Sequence, residues 1–137
     1  MNIWTGKYFS LSELTGPRET SPEVRVSLLH LVTTVLDPWR EVVGSAMRVT
    51  SGYRTREENA RLPGAAPDSW HMWGGAVDIA PMVVELGYAW SCLESLPYDK
   101  AILYGTHIHV QANSGANRRW RYRATRNADG KVRYARL

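Results

Sequence analysis

A chain of 137 residues with 44% apolar and 22% charged residues can build one domain with a proper core, and its composition is ordinary for a soluble globular protein. No apolar run approaches the roughly 20 residues that span a bilayer, and Cys92 as the single cysteine excludes an intrachain disulfide and a thiolate metal cluster. The net charge of +4 is uneven: residues 118–137 hold eight basic side chains against Asp129 alone, a net of +7, which leaves −3 for residues 1–117.

Met1 to Lys7 lacks the charged and apolar regions of a signal peptide. The expected product is therefore soluble and made in the cytoplasm, released by lysis or incorporated in a virion, with no membrane role. Ser10 with Glu13 three residues on reads as the cap of a short helical turn. Ser21-Pro22-Glu23 is a second helix start: a hydroxyl cap, proline at the first position and an acid at the positive end of the dipole. Val24, Leu28, Leu31, Val35, Trp39 and Val42 recur at helical spacing and predict a core-facing stripe. Asp37-Pro38 is expected to kink or divide this helix, Asp37 capping the second piece, and Gly44 to end it. His30 reads as a surface or packing histidine.

Met47 to Thr50 predicts a strand leading into Ser51-Gly52-Tyr53-Arg54, where the glycine is expected to let the chain turn sharply. Thr55 to Arg61 reads as a short helix capped by Thr55 with Glu58 at the third position. Residues 62–68 are loop and deliver Ser69 and His71. Ala76 to Ala80 reads as a buried strand in which Ala76, Asp78 and Ala80 share one face. Its carboxylate, once buried, needs a partner. Pro81 to Leu96 is expected to be helix, with Val83, Leu86, Trp90 and Leu93 on one side, Cys92 as a small apolar residue, and Glu85 and Glu94 exposed. Lys100 to Leu103 and His107 to Gln111 predict two strands joined through Tyr104-Gly105-Thr106, with His107 and His109 on the same face.

Residues 120–124 and 132–134 alternate aromatic and basic side chains around Asn127-Ala128-Asp129-Gly130, a hairpin signature. Such a basic block suits an anionic partner, whether wall polymer, nucleic acid or an acidic face of a neighbouring subunit, or a solvated hairpin with none. The chain shows no recognised nucleic-acid fold, and a nucleic-acid role is not expected.

His71 and Asp78 lie seven residues apart, and His109 follows 31 residues later. Two imidazoles and one carboxylate leave a zinc ion one open position, and imidazole with carboxylate suits zinc better than magnesium or calcium. Taken alone, such a spacing arises freely by chance.

Ser51-Gly52-Tyr53-Arg54, Asn59, the run Ser69-x-His71-x-x-Gly74-x-Ala76-x-Asp78-Ile79 and a later strand carrying His109 together resemble the zinc D,D-peptidases of bacterial cell walls. That family includes D-alanyl-D-alanine carboxypeptidases and the L-alanyl-D-glutamate endopeptidases of phage endolysins, in the Hedgehog/D,D-peptidase fold group. The resemblance implies an α+β fold: a small central antiparallel sheet with helices on one side, occupying residues 1–117, with residues 118–137 as an added β-hairpin arm. It implies zinc held by His71, Asp78 and His109, substrate contacts from Arg54 and Ser69, and a peptidoglycan stem peptide as substrate. The family's catalytic Glu falls on Tyr104 here, and no acid lies between Asp99 and His109. A tyrosine is a poor base at an ordinary pKa near 10. His107 is chemically better suited; it could instead pack beside the ligands or join them. A peptidase fold that has lost its chemistry could serve as a virion building block in a tail or baseplate, gripping neighbouring subunits through residues 118–137.

Overall fold

The computed structural model describes residues 4–137. It is an α+β fold in which one six-stranded sheet carries helices on one face. The strands are β1 (Met47–Ser51), β2 (Ala76–Pro81), β3 (Lys100–Leu103), β4 (Ile108–Gln111), β5 (Trp120–Arg126) and β6 (Val132–Arg136), in spatial order β1-β2-β4-β3-β5-β6. Pairings are antiparallel except that β5 runs parallel to β3, so the sheet is mixed and the C-terminal hairpin continues it. No helix is long and apolar enough to cross a membrane.

The helices are α1 (Leu11–Thr15), α2 (Pro22–Leu31), α3 (Asp37–Val43), α4 (Arg56–Arg61) and α5 (Leu86–Cys92). Ser10–Glu13 and Thr55–Glu58 form reciprocal capping boxes, and the Ser21 hydroxyl accepts from the Val24 N–H, as the sequence leads one to expect. At Asp37-Pro38 the outcome differs. The chain stays helical through a π stretch at Val32–Leu36, in which the Asp37 N–H reaches the Val32 carbonyl. The wider turn makes room for a proline that would otherwise clash with the preceding turn and leave a carbonyl unbonded. Asp37 therefore caps nothing. Its carboxylate accepts the backbone N–H groups of Lys7 (2.7 Å) and Tyr8 (3.1 Å) and fastens the lead-in segment to the helix. The apolar stripe is as expected as far as Trp39, but Val43, four residues on, takes the core position and Val42 is exposed.

The helix expected from Pro81 is shorter at both ends. Pro81 closes β2, Val83 lies in an exposed bend, and α5 begins at Leu86. Its buried Ala89, Trp90 and Cys92, with Leu93 just beyond, pack on the sheet, and the Ala89 carbonyl accepts the Trp39 indole N–H at 2.8 Å. Val77, Ile79, Ala101, Ile108 and Val110 turn toward the helices. Alternation then places Asp78, His109 and Gln111 on the opposite face.

Candidate metal centre

Each member of the triad is delivered by its own element. Asp78 in β2 and His109 in β4 are direct cross-strand partners, so pairing alone brings their side chains together. His71 arrives on a one-turn 3₁₀ helix, Trp70–Met72, which the Ser69 hydroxyl caps by accepting the His71 N–H at 3.3 Å. That turn is tied to the strand end by the Arg54 N–H, which donates to the His71 carbonyl at 3.0 Å. Gly74, at φ +83°, reverses the chain between His71 and β2 where a Cβ would lie 2.7 Å from the Val24 carbonyl oxygen. Gly52 serves by close approach rather than by a turn: a Cβ there would sit 2.0 Å from the Leu14 carbonyl oxygen.

The donor atoms are His71 Nε2, His109 Nδ1 and Asp78 Oδ1. They lie 3.3, 3.1 and 3.4 Å apart for His71–His109, His109–Asp78 and His71–Asp78. Two ligands of a tetrahedral zinc site at the usual 2.0–2.1 Å bond length are roughly 3.3 Å apart, so the spacing suits one small divalent ion. Their proton states agree. His71 Nδ1 donates to the Gly52 carbonyl at 2.8 Å, which leaves a lone pair on Nε2. The Gln111 amide donates through Nε2 to Asp99 Oδ2 at 3.0 Å, so its oxygen faces His109 Nε2 at 2.8 Å and accepts that proton. His109 thus has its Nε2–H taken up by Gln111 and turns Nδ1 to the same point. Three electron-pair donors converging on a largely buried spot repel one another unless a cation lies between them. The three residues can hold a metal ion.

His107 stands at the rim, its Nε2 4.0 Å from Asp78 Oδ2 and its Nδ1 2.9 Å from the Thr106 hydroxyl. Burial pulls its imidazole down, and Asp78 opposes this. Tyr104 stacks on His107 with ring centres 4.5 Å apart, and its hydroxyl meets that of Tyr134 at 3.2 Å. Burial pushes the Tyr104 phenol up; Tyr134 and Asp78 add to the rise and Arg54 opposes it. Arg54 donates through Nη1 to Asn59 Oδ1 at 3.0 Å, while its buried Nε has no partner among the described residues.

Of the residues singled out in the sequence, His71, Asp78, His107 and His109 come together, with Tyr104 stacked on His107. Ser69 supports the turn that bears His71, and Arg54 bonds through its backbone to that same turn. Gln111, Asp99 and Arg118 were not foreseen. Strand alternation gives a signal for Gln111, two residues after His109 and hence on its face. Asp99 and Arg118 are joined only by tertiary structure.

A family model described as Peptidase M15 matches residues 7–111. No curated protein matches the chain.

Proposed function

The chain belongs to the peptidase M15 family, and from that premise we propose that it binds zinc through His71, Asp78 and His109 and hydrolyses a peptide bond in a peptidoglycan stem peptide, of the D,D-carboxypeptidase or L-alanyl-D-glutamate type. The observation that carries this reading is the convergence of three potential ligand atoms, His71 Nε2, His109 Nδ1 and Asp78 Oδ1, at tetrahedral spacing. When bound, zinc supplies Lewis-acid polarisation of a peptide carbonyl and makes nearby water more acidic.

The chain's own residues supply the rest. Arg54, one arm fixed by Asn59, offers its guanidinium to a substrate carboxylate or carbonyl. Ser69 keeps the His71 turn in place. In the tautomer whose Nδ1–H donates to the Thr106 hydroxyl, 2.9 Å away, His107 has Nε2 available as proton acceptor. Water oxygen bonds the carbonyl carbon, its proton passes to His107 Nε2, the C–N bond breaks, and the proton goes to the leaving amine.

A second reading is supported by one observation: Tyr104, which the resemblance puts in place of the family's Glu, stands at the rim stacked on His107 with its hydroxyl engaged by Tyr134. It is a peptidase fold that retains the metal and has lost hydrolysis, serving as a virion component in a phage tail or baseplate. One experiment separates the two. Zinc-loaded protein is incubated with purified muropeptides and the products are read by mass spectrometry. Cleavage that disappears in His109→Ala and falls steeply in His107→Ala supports the peptidase. Zinc binding without cleavage supports the second reading.

A further inference from the structure

The residues that follow the family match are wired into the metal centre. Arg118, the first residue of the hairpin segment, grips Asp99 with three donors: Nε to Oδ1 at 2.9 Å, Nη2 to Oδ2 at 2.7 Å, and its backbone N–H to Oδ1 at 3.1 Å. Asp99 is 1% exposed, so its charge has lost most of its water and depends on these partners. The same carboxylate accepts from Gln111 Nε2, and Gln111 Oε1 receives the His109 Nε2 proton. The chain bends at Arg119, whose φ of +58° is uncommon for a residue other than glycine. That bend allows Arg118 and Trp120, on either side of it, both to bond Asp99, the Trp120 N–H donating to the Asp99 carbonyl at 3.0 Å. Arg118 is also stacked over Trp120 at 3.9 Å, which fixes its plane.

We infer that Arg118 is a positioning residue for the metal centre, acting through Asp99 and Gln111 to set the tautomer and the ring angle of His109. The amide of Gln111 has two possible orientations, and only one leaves His109 Nδ1 unprotonated. Arg118 decides between them by keeping Asp99 ionised and in place, so that the amide nitrogen must face the carboxylate. The hairpin is then part of the metal centre and not an appendage to it.

This inference rests on the metal reading but not on hydrolysis, so the test reads metal affinity and proton position. Zinc affinity is measured by competition with a chromophoric chelator for the wild type, Gln111→Leu, Arg118→Lys, Arg118→Ala and Arg133→Ala, whose side chain is exposed. Outer partners of metal-bound histidines typically contribute 10- to 100-fold in affinity. The expected result is a 10- to 100-fold loss for Gln111→Leu, a loss of similar size for Arg118→Ala, partial recovery in Arg118→Lys, and no change in Arg133→Ala. In parallel, nitrogen-15 NMR of the histidine rings in metal-free protein should show His109 protonated at Nε2 in the wild type and mixed between its nitrogens in Gln111→Leu. Wild-type affinity and an unchanged His109 tautomer in folded Gln111→Leu and Arg118→Lys would overturn the inference. A wild type that takes no zinc removes the metal reading, and the tautomer measurement then decides the relay alone. Zinc binding without muropeptide cleavage leaves the relay standing and removes only the peptidase reading.

Discussion

Tyr104 and Tyr134 meet hydroxyl to hydroxyl at 3.2 Å, ring edge against ring face, across the junction between the β3–β4 turn and the C-terminal hairpin. Through Tyr104, stacked on His107, the contact reaches the rim of the triad. Tyr104 is thus held at that rim by a residue outside the stretch that the family model matches.

Replacing Tyr104 by Glu should return a carboxylate to that place. General-base catalysis is worth 10²- to 10⁴-fold, so muropeptide hydrolysis is expected to rise by about that range if the natural side chain has disarmed the site. An unchanged rate would mean that His107 already does this work. Product release over time, compared with wild type at equal zinc loading, decides it.

Zinc should stabilise the fold by mass action. At 100 times its dissociation constant a ligand contributes about 2.7 kcal/mol, which is a rise of roughly 8 °C in melting temperature for a domain of this size. The rise should vanish on adding a chelator, and His71→Ala and Asp78→Asn should show none. Differential scanning fluorimetry with and without zinc measures it.

Acid should loosen the hairpin. Burial raises the Asp99 carboxyl, but Arg118 and Gln111 outweigh it and hold the pKa below the ordinary value. A carboxyl with a depressed folded pKa stabilises the protein above the unfolded value of about 3.9, and the contribution is lost as pH falls through the folded value. Urea midpoints should therefore drop below about pH 4, and Arg118→Gln should flatten that part of the profile. The slope on acidification is the readout.

Gly52→Ala should destabilise by about 1–3 kcal/mol, as overpacking does, because the new Cβ would meet the Leu14 carbonyl oxygen at 2.0 Å. The Tyr53 N–H bond to that carbonyl, 2.7 Å long, would have to stretch. Since the His71 ring is held by the Gly52 carbonyl, zinc affinity should weaken with it. Urea unfolding and the chelator competition measure the two effects separately.

Much of this could be read from the sequence because the signals are local. Caps at Ser10, Ser21 and Thr55 depend on residues within three positions, and strand alternation assigns Asp78 and His109 to a face without knowledge of the fold. The failures lie where distant segments decide. Asp37 has the chemistry of a cap, but its carboxylate goes to the backbone at Lys7 and Tyr8, and a π turn takes up the proline. Val83 and Leu86 fit a helical stripe that begins only at Leu86, because Pro81 and the bend after it belong to the end of β2. The arginines of the C-terminal segment read as a uniform basic block. In the fold Arg118 is bound to Asp99, Arg121 donates to the Tyr98 hydroxyl and lies over Trp90, and Arg119 reaches the Glu94 carbonyl. Arg123, Arg126, Lys131, Arg133 and Arg136 remain exposed.

The parallel pairing of β5 on β3 also settles which backbone the molecule shows to other chains. Were the last twenty residues removed, Lys100–Leu103 would become a rim of unsatisfied amides and carbonyls beside apolar Ile102 and Leu103, the kind of border on which strands from other molecules stack into fibres. With the hairpin in place the rim passes to β6, where Arg133 and Arg136, with Lys131 just before them, set like charges against any identical strand that approaches.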